Sequence, residues 1–169
     1  MTLIDRDARV RAYEYDDPRE SSAAVFTMSG REMLEAIVDG TLPPPPMART
    51  LDFRIVEIGD GEVTFEVTPQ EFHYNPIGSV HGGLAATLLD SALGCAVQSV
   101  LPAGSGYTTV DLAVKYLRPM TTETGPVRAV AKVVHAGRRT ATAEARIVDA
   151  AGKVYAHGTT TCLVLREEG

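Results

Sequence analysis

The sequence predicts an α+β domain in which an antiparallel sheet wraps around one long buried helix, with a short helix near the N-terminus. Three observations carry this. Residues 84–97 are almost wholly apolar and rich in Ala and Leu, too long a run for a strand, so they read as a helix buried on nearly all sides. Ahead of that run, two stretches largely alternate apolar with polar residues around Gly59-Asp60-Gly61, the pattern of a β-hairpin. Behind it lie four strand-like segments whose connections are too short for parallel crossovers.

Taken in order, residues 1–25 mix Asp, Arg and Glu with single apolar residues, so a charged, frayed leader is expected, without the apolar h-region of a signal peptide or anchor. Met28-Ser29-Gly30-Arg31-Glu32-Met33 then starts a short helix in which Ser29 caps, Glu32 reaches back and Met28 packs on Met33. Met33, Leu34, Ile37 and Val38 supply its apolar face, and Gly40 stops it. Pro43 to Pro46 read as a stiff extended spacer leading into the first strand. The hairpin strands span 51–58 and 62–67. The later segments, 107–117, 127–134, 140–148 and 153–165, are expected to form an antiparallel meander turning near Gly125, Gly137 and Gly152. The chain therefore divides into a leader with helix and proline spacer, 1–48, and the sheet-and-helix domain, 49–166.

With 169 residues, 44% of them hydrophobic, the chain can fill one core and no comfortable second. A formal charge of −6 argues against nonspecific duplex nucleic acid and anionic membrane as partners, since both select positive surface. No stretch approaches the roughly 20 uninterrupted apolar residues of a spanning helix. A cytoplasmic protein acting on a small molecule is the expectation. Cys95 and Cys162 lack the spacing of a metal or redox motif and read as free buried thiols, so no metal site is expected.

Chemistry concentrates at the apolar helix. Thr87, Asp90 and Ser91 fall on one stripe with Gly83 and Gly94, and Asp90 has no Lys or Arg within a turn or two. A lone buried carboxylate is costly and points to a task, although bracing the helix through backbone or water is the plainer alternative. The preceding loop, His73 to Gly83, carries glycines that can bring bare N–H groups to a ligand at the helix N-terminus, where developing negative charge is favoured. Asn75 and His81 could equally brace that loop. If the helix starts near Gly82, Asp90 lies eight residues on, about 12 Å along the axis at ~1.5 Å per residue. One chain cannot easily bring both to one atom. Two antiparallel copies could, with Gly83, Ala86 and Gly94 allowing close approach, which predicts a twofold dimer with composite sites.

The stretch Asn75-Pro76-Ile77-Gly78-Ser79-Val80-His81-Gly82-Gly83, with Leu88-Leu89-Asp90, Thr109-Val110-Asp111-Leu112 and Tyr116-Leu117-Arg118-Pro119, resembles the hot-dog-fold acyl-CoA thioesterases of the phenylacetate-pathway (PaaI-like) group across residues 50–165. The resemblance implies that Asp90 activates water or attacks the thioester, that the Gly82 amide polarises the carbonyl, and that Asn75 orients thioester or water. It also implies a Ser or Thr on the partner side that assists the aspartate, for which Thr109 matches best. His81 and Gly83 are expected against substrate, and Tyr116 and the turn His135-Ala136-Gly137-Arg138-Arg139 where coenzyme A passes. No cofactor is called for, coenzyme A being part of the substrate. A homodimer with shared sites is implied, with a homotetramer as the larger option, while general-base and anhydride routes stay open.

Phosphates of coenzyme A need cations, and residues 107–140 hold Lys115, Arg118, Arg128, Lys132, Arg138 and Arg139 against Asp111 and Glu123. Edge-strand charge is the plainer explanation of any one of them. The rival enzymatic reading is a hot-dog enoyl-CoA hydratase, whose Asp-x-Asn-Pro-x-x-x-x-His core is loosely matched, but His73 stands where the acid belongs. The non-enzymatic alternative is an acyl-CoA-binding protein.

Overall fold

The computed structural model describes residues 9–166; the start of the charged leader lies outside them. Three short helices precede the sheet. Helix α1 (Pro18–Ala24) has an Asp17 N-cap that accepts the Arg19 N–H, followed by proline at the first helical position, where its missing donor is harmless. Helix α2 (Gly30–Asp39) matches expectation: Ser29 and Glu32 form the reciprocal capping box, and Gly40 ends it with φ +84°. Its face differs in one respect, because Leu34 and Ala36 are buried while Val38 is exposed.

The prolines do not run extended into a strand. Pro46 opens a further helix, α3 (Pro46–Leu51), for the same reason that Pro18 opens α1, and Asp52 terminates it in the left-handed region at φ +57°. The leader is fastened to the corner where the long helix turns into the sheet: the Gly30 N–H donates to the Leu101 carbonyl at 3.0 Å and the Gly104 N–H to that of Phe26 at 3.0 Å.

Strands β1 (Phe53–Ile58) and β2 (Glu62–Val67) form the expected hairpin. The long helix, α4, spans Gly82–Ser99, and β3 (Ser105–Tyr116), β4 (Val127–Ala136), β5 (Thr140–Asp149) and β6 (Val154–Arg166) follow. All pairings are antiparallel, in the order β1-β2-β4-β5-β6-β3. The four-strand meander is therefore corrected. β4 joins the hairpin by pairing with β2, where Glu62 meets Lys132 at 2.7 Å and Glu66 meets Arg128 at 3.0 Å across the ladder. β3 is left at the far edge against β6. Residues 117–126 cross the end of the sheet, and ten residues reach far more than the roughly 15 Å of three strand spacings.

The inner face of the sheet is lined with Ala129, Ala131, Ala141, Ala143, Ala145 and Ala156, all buried, so α4 can lie close. Leu88, Leu89 and Leu93 are fully buried there, each worth about 1.5–3 kcal/mol in burial. Gly158 belongs to the same fit, since a Cβ on it would stand 3.2 Å from the Leu89 side chain. The sheet does not enclose the helix completely. Gly82, Gly83, Ala86, Thr87, Asp90 and Ser91 are only half-buried and form one stripe, and among the described residues no strand covers the outer edge of β3.

Candidate active site

The loop before α4 is held from several sides. His73, buried, accepts the Gln70 N–H at Nδ1 and donates from Nε2 to the Leu51 carbonyl at 3.0 Å. Burial is the largest influence on its imidazole and holds it below the ordinary value near 6.5, opposed by the bond to Leu51. The residue standing where the rival hydratase needs an acid is thus a neutral bracing group. Asn75 accepts the Ile77 and Ser79 N–H groups at Oδ1 and donates to the Ser79 hydroxyl, so its amide organises its own loop. Gly78 completes that turn at φ +81°.

His81 is the N-cap of α4. Its Nδ1 accepts the Gly83 N–H at 2.8 Å and its carbonyl accepts the Leu84 N–H at 3.0 Å. That leaves the Gly82 N–H as the first-turn donor without a partner among the described residues. Tyr116 lies over the same spot: its hydroxyl donates to the Gly82 carbonyl at 3.2 Å, and its ring would be 3.1 Å from a Cβ at position 82. His81, Gly82, Gly83 and Tyr116 are therefore brought together, with Asn75 in the adjoining loop.

Two turns further along α4, Asp90 is half-buried, and Thr109 donates its hydroxyl to Asp90 Oδ1 at 3.0 Å. The hydroxyl comes from the same chain, not from across a subunit boundary as the resemblance implied. Thr109 owes its position to a bulge in β3: pairing with β6 slips between Thr109 and Asp111, and the Asp111 carboxylate takes the Thr161 N–H at 2.8 Å. Among the described residues no cation pairs with Asp90, and its neighbours stay neutral. Burial, assisted by the Asp90 charge, pushes the Cys95 thiol up to about 12, and burial together with Cys95 and Asp90 holds the Tyr107 hydroxyl well above its ordinary range.

Asp90, Cys95, Tyr107, Thr108 and Thr109 open onto a cavity of about 970 Å³ whose other walls come from α2, the proline stretch, β1 and β2. Met33, Leu34, Ile37, Phe53, Phe65 and Val67 make much of it apolar. Sequence reasoning missed this space, together with Tyr107 and Gln98 on its wall. Gly94 held the overlooked signal: it was expected to admit a second helix, but it is buried against Tyr107, whose hydroxyl would lie 2.1 Å from a Cβ there.

The turn carrying His135, Gly137, Arg138 and Arg139 is not beside Gly82. The Arg139 carbonyl accepts the Val164 N–H, and Val164 pairs with Tyr107, which places the turn at the beginning of β3, while Gly82 sits beside its end. The cation cluster also divides. Arg128 and Lys132 are committed to glutamates on the sheet and Arg118 donates to the Val154 carbonyl, whereas Lys115, Arg138 and Arg139 form no ion pair among the described residues.

Comparison with known proteins agrees with the fold described above. A family model described as the thioesterase superfamily matches residues 77–156. A Halobacterium salinarum protein provisionally named an esterase is 38% identical over 114 residues, covering 64% of this chain and 74% of that protein. Human acyl-coenzyme A thioesterase 13 is 35% identical over 65 residues, 38% of this chain and 46% of that one. Among solved structures, a Ralstonia eutropha JMP134 protein described as phenylacetic acid degradation-related superposes with a TM-score of 0.70 at 26% identity, covering 77% of this chain and 98% of that one. Among the described residues no helix is long and apolar enough to cross a membrane.

Proposed function

The chain belongs to the thioesterase superfamily and has its hot-dog fold, and we propose that it hydrolyses the thioester of a hydrophobic acyl-CoA, aromatic or short- to medium-chain, to the free acid and coenzyme A. The observation that carries this reading is Asp90: a half-buried carboxylate without a cationic partner among the described residues, held by Thr109, on the wall of a cavity much of which is apolar. Such a group can take a proton from attacking water, or attack the acyl carbon itself, while the thiolate of coenzyme A leaves. The Gly82 N–H, at the positive end of α4, is the donor for the carbonyl oxygen as it gains charge. Asn75 supports this by fixing the loop, and His81 and Gly83 by fixing the helix start.

A homodimer with shared sites completes the reading. The half-buried stripe from Gly82 to Ser91 and the open edge of β3 are the surfaces a second, antiparallel copy would cover. Such a copy would set its Gly82 near the first chain's Asp90. It would also set its Tyr116 end beside the first chain's turn with His135, Gly137, Arg138 and Arg139, free there for phosphates of coenzyme A. Residues 49–166 form the thioesterase domain on this reading, and the leader walls its pocket.

The test is thiol release from a panel of short, medium, aromatic and hydroxylated aryl acyl-CoAs, with wild type and Asp90→Asn. Hydrolysis by wild type and its loss in the variant is the expected result; release by neither protein across the panel rejects the proposal. For shared sites, mixing Asp90→Asn with Gly82→Pro chains should restore activity. Proline at the first helical position removes the N–H in question, and the ring it adds, 3.1 Å from Tyr116, is accommodated as exposed Tyr116 moves aside.

A further inference from the structure

We propose that Arg11 is a positioning residue that sets the acyl preference by fixing α3, one wall of the cavity, in place; the inference rests on the acyl-CoA hydrolysis proposed above. Ala48 and Arg49 of α3, with Pro45 before it and Asp52 after it, line the cavity onto which Asp90 opens. Six residues are too few for a helix to hold by itself. No side chain caps its start, and it stops on an aspartate rather than a glycine in the left-handed region, at φ +57°. Its support must come from outside the helix.

The last four carbonyls of α3 show where that support lies, since such groups have no partner within a helix. The Ala48 carbonyl accepts the Asp52 N–H, and the Leu51 carbonyl accepts from the His73 imidazole. The two between them, of Arg49 and Thr50, both accept from the Arg11 guanidinium, the former at 2.9 Å. Its positive charge suits the negative end of a helix, and among the described residues it forms no ion pair. Aromatic rings hold the guanidinium in turn, with centroids 4.8 Å away for Tyr13 and 4.1 Å for Phe72. The Tyr13 and Thr50 hydroxyls share a hydrogen bond at 3.1 Å, and Arg9 pairs with Glu71 at 3.2 Å. Residues 9–13, without regular secondary structure of their own, are thus strapped to the end of α3. An acetyl group held at Asp90 fills a small part of about 970 Å³, whereas a longer acyl group extends onto the walls that the leader supplies. Loosening α3 therefore penalises long acyl groups and spares short ones, with the chemistry at Asp90 untouched.

The experiment measures kcat and KM across a straight-chain series from acetyl-CoA to dodecanoyl-CoA. Arg11→Ala should raise KM about tenfold for the longest chains, the worth of its charged hydrogen bonds, and leave kcat and the acetyl-CoA values unchanged. A merely structural arginine would shift every substrate alike. Phe72→Leu, which removes one stacking ring, should give the same length-dependent rise at about threefold, and serves where the alanine variant fails to fold. Independently of activity, the amides of residues 50–52 should exchange with solvent about tenfold faster in Arg11→Ala while those of α4 do not change. A KM change equal at all lengths, no change, or unaltered exchange in α3 overturns the proposal and leaves acyl-CoA hydrolysis intact. If wild type hydrolyses none of the series, the hydrolysis reading falls, and calorimetric binding of the same acyl-CoAs decides this one: affinity lost in Arg11→Ala for the longer chains alone upholds it, and equal affinities overturn it.

Discussion

The two ends of α4 are built differently. At the start stand two half-buried glycines, one N–H without a partner among the described residues, and an exposed tyrosine laid over the turn. At the finish Gln98 and Ser99 are buried, Gly30 presses on the backbone, and the Ser99 hydroxyl both donates to Ala96 and accepts the Gly61 N–H. The open end has donors for a ligand, and its imidazole, His81, is engaged as the helix cap. The closed end has a pocket wall and no electrophile. Asp90, midway, shares a cavity with the closed end, and on the proposed dimer it meets the open end of a second copy.

Removing the middle should produce the largest effect. Asp90→Asn is expected to lower kcat by about 10²–10⁴-fold with the melting temperature little changed, measured by thiol release and calorimetry. A smaller fall would shift the work toward the open end. Gly30→Ala attacks the closed end: the new methyl meets the Gln98 carbonyl, so α2 must lift, at about 1–3 kcal/mol of stability in denaturant titration, with KM rising as the pocket wall loosens. If stability is unchanged, the clamp is softer than its geometry. Thr109→Val should reduce kcat about tenfold through loss of one hydroxyl bond to the carboxylate, leaving KM nearly constant.

The smallest effect concerns the brace behind the open end. His73 is held below its ordinary value by burial, so as pH falls the unfolded chain takes up a proton before the folded one does. The stability it contributes is complete above about pH 6.5 and declines as pH drops through the folded value. Melting temperature should therefore fall between pH 7 and 5 more steeply in wild type than in His73→Asn; parallel curves would remove His73 from the account.

Much of this was readable in the residues. The capping box at Ser29, the hairpin around Gly59-Asp60-Gly61 and the apolar run of α4 are local signals, and each element lies where its pattern put it. Asp90 stood out as an acid among aliphatics. Two further local signals, Asp17-Pro18 and Pro46 at a first helical turn, were present but unread. Strand order was not local. That β3 lies beside β6 depends on β4 claiming the free side of β2, a competition between distant segments that no window of sequence displays. The cavity is hidden for the same reason. It exists because Gly30 docks on Gln98, and neither residue announces the other.

The uncovered edge of β3 has a consequence for the chain in a crowded cell. A row of unspent donors and acceptors along Ser105–Tyr116 can accept any extended stranger, with the kink after Thr109 and the charge of Lys115 as deterrents. If a second copy covers this seam as proposed, substitutions that weaken the pairing should show themselves first as precipitate in the cell, and only afterwards as slow turnover in the cuvette.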